Sequence, residues 1–294
     1  MFCYYNAEAQ YRPDQRHLLF YISGLYEQTI ALKQKNPDLK ILLAVGGWEI
    51  GSEPFKELAS TWQNRNTFSK NVVKYLRQYG FDGLDMDWEF PGTRGSPPED
   101  KYKFTDLMRD VKPHFISFHF ISFLLCFFYQ DWSVDYWLDK GMPKDRLIMG
   151  LSSYGMSYTL NFTNQNGVGA PAKGNGKVGT YTNEQGILAY YEICENLKYK
   201  GWNQRYIAEQ DSPYAFGGDQ WVGYDNQDSL AIKAQYAKQK DLGGAMLWSV
   251  ETDDFKGTCG EGLYPLLKRV NGIIRDGQTG SSGTQGNIDC FNCY

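Results

Sequence analysis

Histidine is scarce in this 294-residue chain, which has three. The six cysteines (Cys3, Cys126, Cys194, Cys259, Cys290 and Cys293) form no paired CxxC, and Cys290 and Cys293 alone make a weak one. With neither imidazoles nor thiol pairs at ligand spacing, no metal or other cofactor is expected. Basic residues are not in excess either: 30 Lys and Arg stand against 34 Asp and Glu, for a net charge of −4. That speaks against nucleic acid and against an anionic membrane surface as partners. No apolar run reaches the ~20 residues of a membrane span. Nor does a secretory leader open the chain, since Met1 runs into the strand-like Phe2-Cys3-Tyr4-Tyr5.

What the chain does have is aromatic surface. Aromatics make up 16% of it, with 8 Trp and 22 Tyr. Sugar-binding clefts use such rings as platforms, and cores use them as filler, so composition alone leaves both open. One or two disulfides in a secreted protein is the simplest reading of the cysteines. The glycosylation sequon Asn161-Phe162-Thr163 agrees with it.

Hydrophobic strands alternate with helical stretches along the chain. Phe2–Tyr5, Lys40–Val45, Arg146–Leu151 and Gly243–Ser249 read as strands. Leu25–Lys35, Asn64–Tyr79, Asp100–Asp110, Val134–Lys140 and Ser229–Gln239 read as helices. This alternation predicts a parallel α/β sheet or barrel, with chemistry at the C-terminal strand ends. Trp48, Glu89, Tyr154 and Trp248 all fall at such ends. Between Leu151 and Gly243 the chain is far too long for a simple connection and reads as an inserted α+β subdomain. From Gly277 the composition is that of a flexible linker.

The most informative segment is Asp82-Gly83-Leu84-Asp85-Met86-Asp87-Trp88-Glu89, stopped by Pro91-Gly92. As a strand it places Asp85, Asp87 and Glu89 on one face and Leu84, Met86 and Trp88 on the other. An exposed edge strand would not carry that apolar face, and a calcium loop would use Gly and Asn at loop spacing instead. Three buried carboxyls cannot all ionise, so some are held protonated, as a general acid working near neutral pH requires.

These residues resemble glycoside hydrolase family 18, the chitinases and their inactive relatives. Asp82–Glu89 resembles the family's DGxDxDxE signature in full. Lys40–Trp48 is similar to its third strand, which ends in Gly-Gly-Trp, and Arg94-Gly95-Ser96-Pro97-Pro98 to the loop after the acid strand. Gly243–Phe255 resembles the eighth strand, while Ala189–Cys194 and Trp221–Asp225 resemble the inserted subdomain.

The resemblance implies hydrolysis of β-1,4-linked N-acetylglucosamine in chitin by the substrate-assisted retaining route. Glu89 would protonate the leaving oxygen, and the sugar's acetamido oxygen would attack the anomeric carbon. Asp87 would hold the acetamido N–H, and Asp85 would share a proton with Asp87. Trp248 and Trp48 would lie under sugar rings, and Tyr4, Tyr154 and Glu184 match further substrate-binding positions. Cys194 and Cys259 match a family disulfide. The expected fold is a TIM-type (β/α)8 barrel formed by residues 1–155 and 226–274. An α+β insertion, residues 156–225, falls between strands 7 and 8, and a tail covers 275–294. A secreted monomer is expected.

The chain also departs from the family. The Met-x-Tyr-Asp motif of the sixth strand, whose Tyr and Asp hold the acetamido group, is absent. Strands 5 and 6 are therefore expected to be lacking, and strand 2 has only Leu18–Ser23 as a stand-in. The run Phe115–Tyr129 takes the place of the lacking strands. It reads either as a buried strand or as non-native coding sequence. Met156 stands where relatives often have Arg or His. Without tail and insertion about two hundred residues remain, against about 250 for a full barrel. The 294-residue form is therefore expected to fold poorly and to have little or no chitinase activity, as a non-catalytic chitin-binding lectin or an inactive gene fragment would.

Overall fold

The computed structural model describes residues 2–5, 24–48, 50–111, 113, 119–121 and 130–276. Leu18–Ser23, most of Phe115–Tyr129, Cys126 and the tail with Cys290 and Cys293 lie outside the described residues. The chain forms two compact units, Met1–Leu125 and Cys126–Tyr294.

In the first unit four parallel strands pair in sequence order: β1 (Phe2–Tyr5), β2 (Lys40–Gly46), β3 (Gly83–Asp87) and β4 (His119–Ile121). Helices α1 (residues 24–31), α2 (Glu53–Ser60), α3 (Trp62–Tyr79) and α4 (Asp100–Val111) connect them. β3 is positioned by what precedes it. The side chain of Thr61 caps α3 by accepting from the Asn64 N–H, and Gly80, with φ of 80°, ends the helix in a left-handed turn. Asp82 then fastens the strand's start. Its carboxylate accepts from the Ile41 N–H at 2.8 Å and pairs with Lys33 at 2.6 Å. Leu84, Met86 and Trp88 bury against Ile41, Leu43, Phe55, Leu76 and Leu107. The apolar half of the alternation is therefore the core half.

β4 falls where a buried strand is one of the two readings of the sequence. A further parallel strand does follow the acid strand, pairing Gly83 with His119 and Asp85 with Ile121, inside the run the sequence left open as a strand.

In the second unit β5 (Ile148–Ser152) and β12 (Gly244–Trp248) pair in parallel, with Ser152 opposite Trp248. The intervening chain builds an antiparallel sheet from β6 (Tyr154–Leu160), β7 (Ala172–Asn175), β8 (Ile187–Ala189), β9 (Asn203–Ile207), β10 (Ser212–Gly217) and β11 (Gln220–Gly223). Its order is β7-β6-β11-β10-β9, with β8 also on β6. Helix α6 (Tyr190–Tyr199) packs on this sheet, and α5 (Gln130–Asp139), α7 (Gln227–Gln239) and α8 (Pro265–Arg275) complete the unit. Gly155 is needed here, because a Cβ on it would meet Val222 Cγ2 at 2.5 Å. Cys194 in α6 and Cys259 form a disulfide with Cα atoms 5.2 Å apart. Buried Asp253 caps α8 from a distance, accepting from the Leu267 N–H at 2.9 Å.

Six parallel strands are thus present, and no closed ring of them is seen among the described residues.

The junction of β2 and β3 has no spare room. Gly46 has φ of 120°, and a Cβ there would lie 2.1 Å from the Asp87 carbonyl oxygen. That oxygen accepts from the Gly47 N–H at 2.8 Å. Gly46→Ala should therefore lower unfolding stability by roughly 2–4 kcal/mol. A denaturant midpoint unchanged from wild type would contradict this close packing.

Candidate active site

Asp85, Asp87 and Glu89 lie in and just after β3 at its C-terminal end. Asp85 is 4% exposed and Glu89 8% exposed. Burial is the largest influence on all three, and it raises each carboxyl above its ordinary range. Asp85 is pushed up to about 8 by burial and by the charge of Asp87. One of its oxygens, Oδ1, has no hydrogen-bond partner among the described residues. Glu89 is pushed up to about 7 by burial, by the Asp87 charge and by a hydrogen bond with Asp87. The same bond lowers Asp87, so Glu89 donates and Asp87 accepts. Burial thus favours the protonated form at every position of the stack, while the hydrogen bond favours the charged form at Asp87 alone. Asp87 thus spends its hydrogen bond on Glu89, while its charge acts on Asp85.

Trp88 points the other way. Its indole N–H donates to Ser52 Oγ at 3.0 Å, and its ring stacks on Phe55 at 5.1 Å. This anchor holds the backbone between Asp87 and Glu89. Trp48 follows the Gly46-Gly47 turn and is 54% exposed. The Arg94 guanidinium sits 3.7 Å from the centre of its ring and also donates to the Glu89 carbonyl oxygen at 3.3 Å. Sequence reasoning gave Arg94 no role of its own. Its place five residues after Glu89, in the loop that turns back from the strand, was the available signal. Arg94 also opposes the upward shift of Glu89 by charge. Tyr4 falls on β1 opposite Leu42 by backbone register.

In the second unit Trp248 ends β12, and Tyr154 lies two residues beyond its partner Ser152. Buried Ser153 ties these ends together. Its N–H donates to the Trp248 carbonyl at 2.9 Å, and its hydroxyl donates to the Ser249 carbonyl at 2.6 Å. Thr252 Oγ1 lies 2.8 Å from that hydroxyl. Glu184 is exposed in the loop before β8, and β8 pairs Ala189 with Tyr154. Met156 is exposed on β6 opposite Ile187. The structure thus brings Asp85, Asp87, Glu89 and Trp48 together in the first unit. It sets Tyr154 beside Trp248 in the second, where Glu184 lies exposed on the loop before β8. Among the described residues no cluster of His, Cys, Asp and Glu could hold a metal ion. No described helix is long and apolar enough to cross a membrane.

With this geometry in place, comparison with known proteins defines the class. The family model "Glycosyl hydrolases family 18" matches residues 2–124 and 121–253, and the chain belongs to that family. Chitotriosidase-1 of Mus musculus is 40% identical over 310 residues, taking in 84% of this chain and 66% of that protein. The chain thus spans just under two thirds of that relative's length. Because that alignment is longer than the chain itself, the mouse protein carries several dozen residues with no counterpart here. Among solved structures, the Group IV chitinase of Ostrinia furnacalis superposes with a TM-score of 0.83 at 27% identity, covering 94% of this chain and 99% of that one. Human YKL-39, described as a pseudo-chitinase with retained chitooligosaccharide binding properties, superposes at 0.78 with 31% identity, covering 86% and 85%. The fold is of the TIM-barrel type that these neighbours share.

The acid stack makes stability depend on pH in a definite sense. Asp85 has a folded pKa near 8 against 3.8 when free, so the folded chain binds the extra proton between those values. Its stabilising share is complete below the free value and is lost as pH rises through about 8. Asp85→Asn has no proton to lose there. Melting temperatures should show the variant gaining on wild type steadily from about pH 4 to pH 8 and levelling off above. A difference that stays constant across this range would mean that Asp85 ionises normally.

Proposed function

We propose that this protein hydrolyses β-1,4-N-acetylglucosamine linkages in chitin or chito-oligosaccharides, outside the cell, as a monomer and without a cofactor. The observation that carries this reading is the buried row Asp85, Asp87 and Glu89 at the C-terminal end of β3, where burial raises the Glu89 carboxyl to about 7 and Asp87 accepts its hydrogen bond. A general acid needs a proton to give at working pH, and a pKa near 7 supplies one. Glu89 gives it to the leaving glycosidic oxygen. As bond breaking begins, the hydrogen bond between Glu89 and Asp87 loses its proton, and the Asp87 carboxylate turns to the acetamido N–H. The acetamido oxygen is the nucleophile, as expected for this exception to the two-carboxylate scheme. Asp85, neutral behind Asp87, keeps the stack from carrying a second charge. Trp48 offers an exposed ring to a sugar face, and Tyr4, Tyr154, Glu184 and Trp248 take the substrate-binding roles the family pattern gives them.

A second reading has its own support. Without a Met-x-Tyr-Asp motif, the acetamido group lacks two of its holders, and preorganised stabilisation of the oxazolinium ion is reduced. A chain that keeps its aromatic platforms under those conditions binds chito-oligosaccharide and turns it over slowly or not at all, as a lectin or as the inactive product of a chitinase gene.

Chitotriose cleavage and oligosaccharide binding, measured on the same samples, separate the two. We expect slow turnover by this chain. Glu89→Gln should reduce it by at least ~10²-fold, with affinity held within a few-fold. Equal turnover in wild type and variant would remove Glu89 from the mechanism. Binding with no turnover in either form would select the second reading.

A further inference from the structure

We infer that Asn161 is an N-glycosylation acceptor, a site that lies apart from the residues assigned to sugar hydrolysis. The inference rests on the extracellular route proposed above and is independent of the catalytic reading. Asn161-Phe162-Thr163 is the only Asn-X-Ser/Thr sequence in the chain with X other than Pro. A sequon alone is weak. Two structural observations give this one its weight.

The first is its placement. Asn161 follows the last residue of β6 and opens the loop of residues 161–171 that leads to β7. All three sequon residues are exposed, Phe162 at 55%. The loop is shaped by its backbone. The Asn161 N–H donates to the Pro171 carbonyl at 2.8 Å, and the Gln165 N–H donates to the Phe162 carbonyl at 3.1 Å, a turn through the sequon. Among the described residues, neither the Asn161 amide nor the Thr163 hydroxyl is held in a hydrogen bond. The acceptor nitrogen and the hydroxyl that must be read with it are therefore both presented to solvent, on a loop whose backbone does not depend on them.

The second observation is the Cys194–Cys259 disulfide in the same unit. A structural disulfide calls for an oxidising lumen, which is the compartment where such acceptors are modified. There a lipid-linked oligosaccharide pyrophosphate is the donor. The bond from its first sugar carbon to the pyrophosphate oxygen breaks, and that carbon bonds to Asn161 Nδ2. The amide loses one proton to water, and the lipid pyrophosphate leaves with the bonding electrons.

A glycan at this position is compatible with sugar binding elsewhere in the unit. Tyr154 and Asn161 stand at opposite ends of β6, about 20 Å apart at the rise of a strand. The modification instead places a hydrated group beside β7, an edge strand of its sheet, where an open edge invites pairing with another chain.

The test directs the full 294-residue chain into the secretory pathway of a eukaryotic cell with a cleavable leader, followed by treatment with a peptide-N-glycosidase. One discrete step in mobility should appear. Asn161→Gln and Thr163→Ala should each abolish it, and Thr163→Ser should keep it. Non-reducing gels report whether the Cys194–Cys259 bond has formed, and so whether the chain reached the lumen. A chain that carries the disulfide but shows no glycosidase-sensitive step overturns the inference, as does a step that survives Asn161→Gln. Core glycosylation precedes complete folding, so a poorly folding chain still answers the question. Failure of chitotriose hydrolysis leaves the gel result unchanged, which keeps the two readings apart.

Discussion

Three carboxyls side by side on one buried strand face are the constraint around which the first unit is organised. Water would let all of them ionise. Burial and mutual repulsion oppose it, so all three carboxyls hold their protons to higher pH than free ones, and Asp87 between the others is the one eased by a hydrogen bond. This arrangement needs a strand whose position is fixed to within a fraction of an ångström. Lys33 and the Ile41 N–H on Asp82 fix its start, and Phe55 and Ser52 on Trp88 fix its end. The apolar residues that alternate with the acids supply the burial that sets their proton affinities. Core and chemistry on this strand are therefore two faces of one pattern.

The same strand shows why a family can contain both hydrolases and binders. Under the proposed mechanism, donating a proton falls to Glu89 and the stack beneath it. Binding a sugar chain requires exposed rings, such as Trp48 with Arg94 across one face of it. The two demands fall on different residues, and losing one leaves the other intact. This chain retains the full acid stack and lacks the Tyr-Asp pair of the sixth-strand motif. Its departure from the family pattern thus lies in a different segment from the acid stack. The family model matches the chain in two segments meeting at residues 121–124, close to where the sequence first loses the family pattern.

Short-range pattern was legible in the sequence. The alternation of Asp85, Asp87 and Glu89 with Leu84, Met86 and Trp88 determined a half-buried strand with a charged face, because side chains on a strand must alternate. Helical periodicity placed α3, α4 and α7 within a few residues of where they lie. Helices α2, α6 and α8 went unread. α8 depends on a cap from Asp253, distant in sequence, and α6 is fastened by the disulfide to Cys259. Local propensity does not report such support. Strand β4 lay in a run too uniformly apolar to show a period, so only its pairing with β3 identifies it.

The sequence by itself determined which residues line up as carboxyls and which as apolar groups on the two faces of their strand, since composition and alternation decide both. Tertiary structure alone decided where the protons sit. That depends on how deeply each carboxyl is buried and on which neighbour it bonds, quantities set by the packing of β2, α2 and the Arg94 loop against β3. It also decided how the parallel strands are grouped, four in one unit and two in the other. Strand pairing is a long-range contact, and nothing in a strand's own residues names its partner.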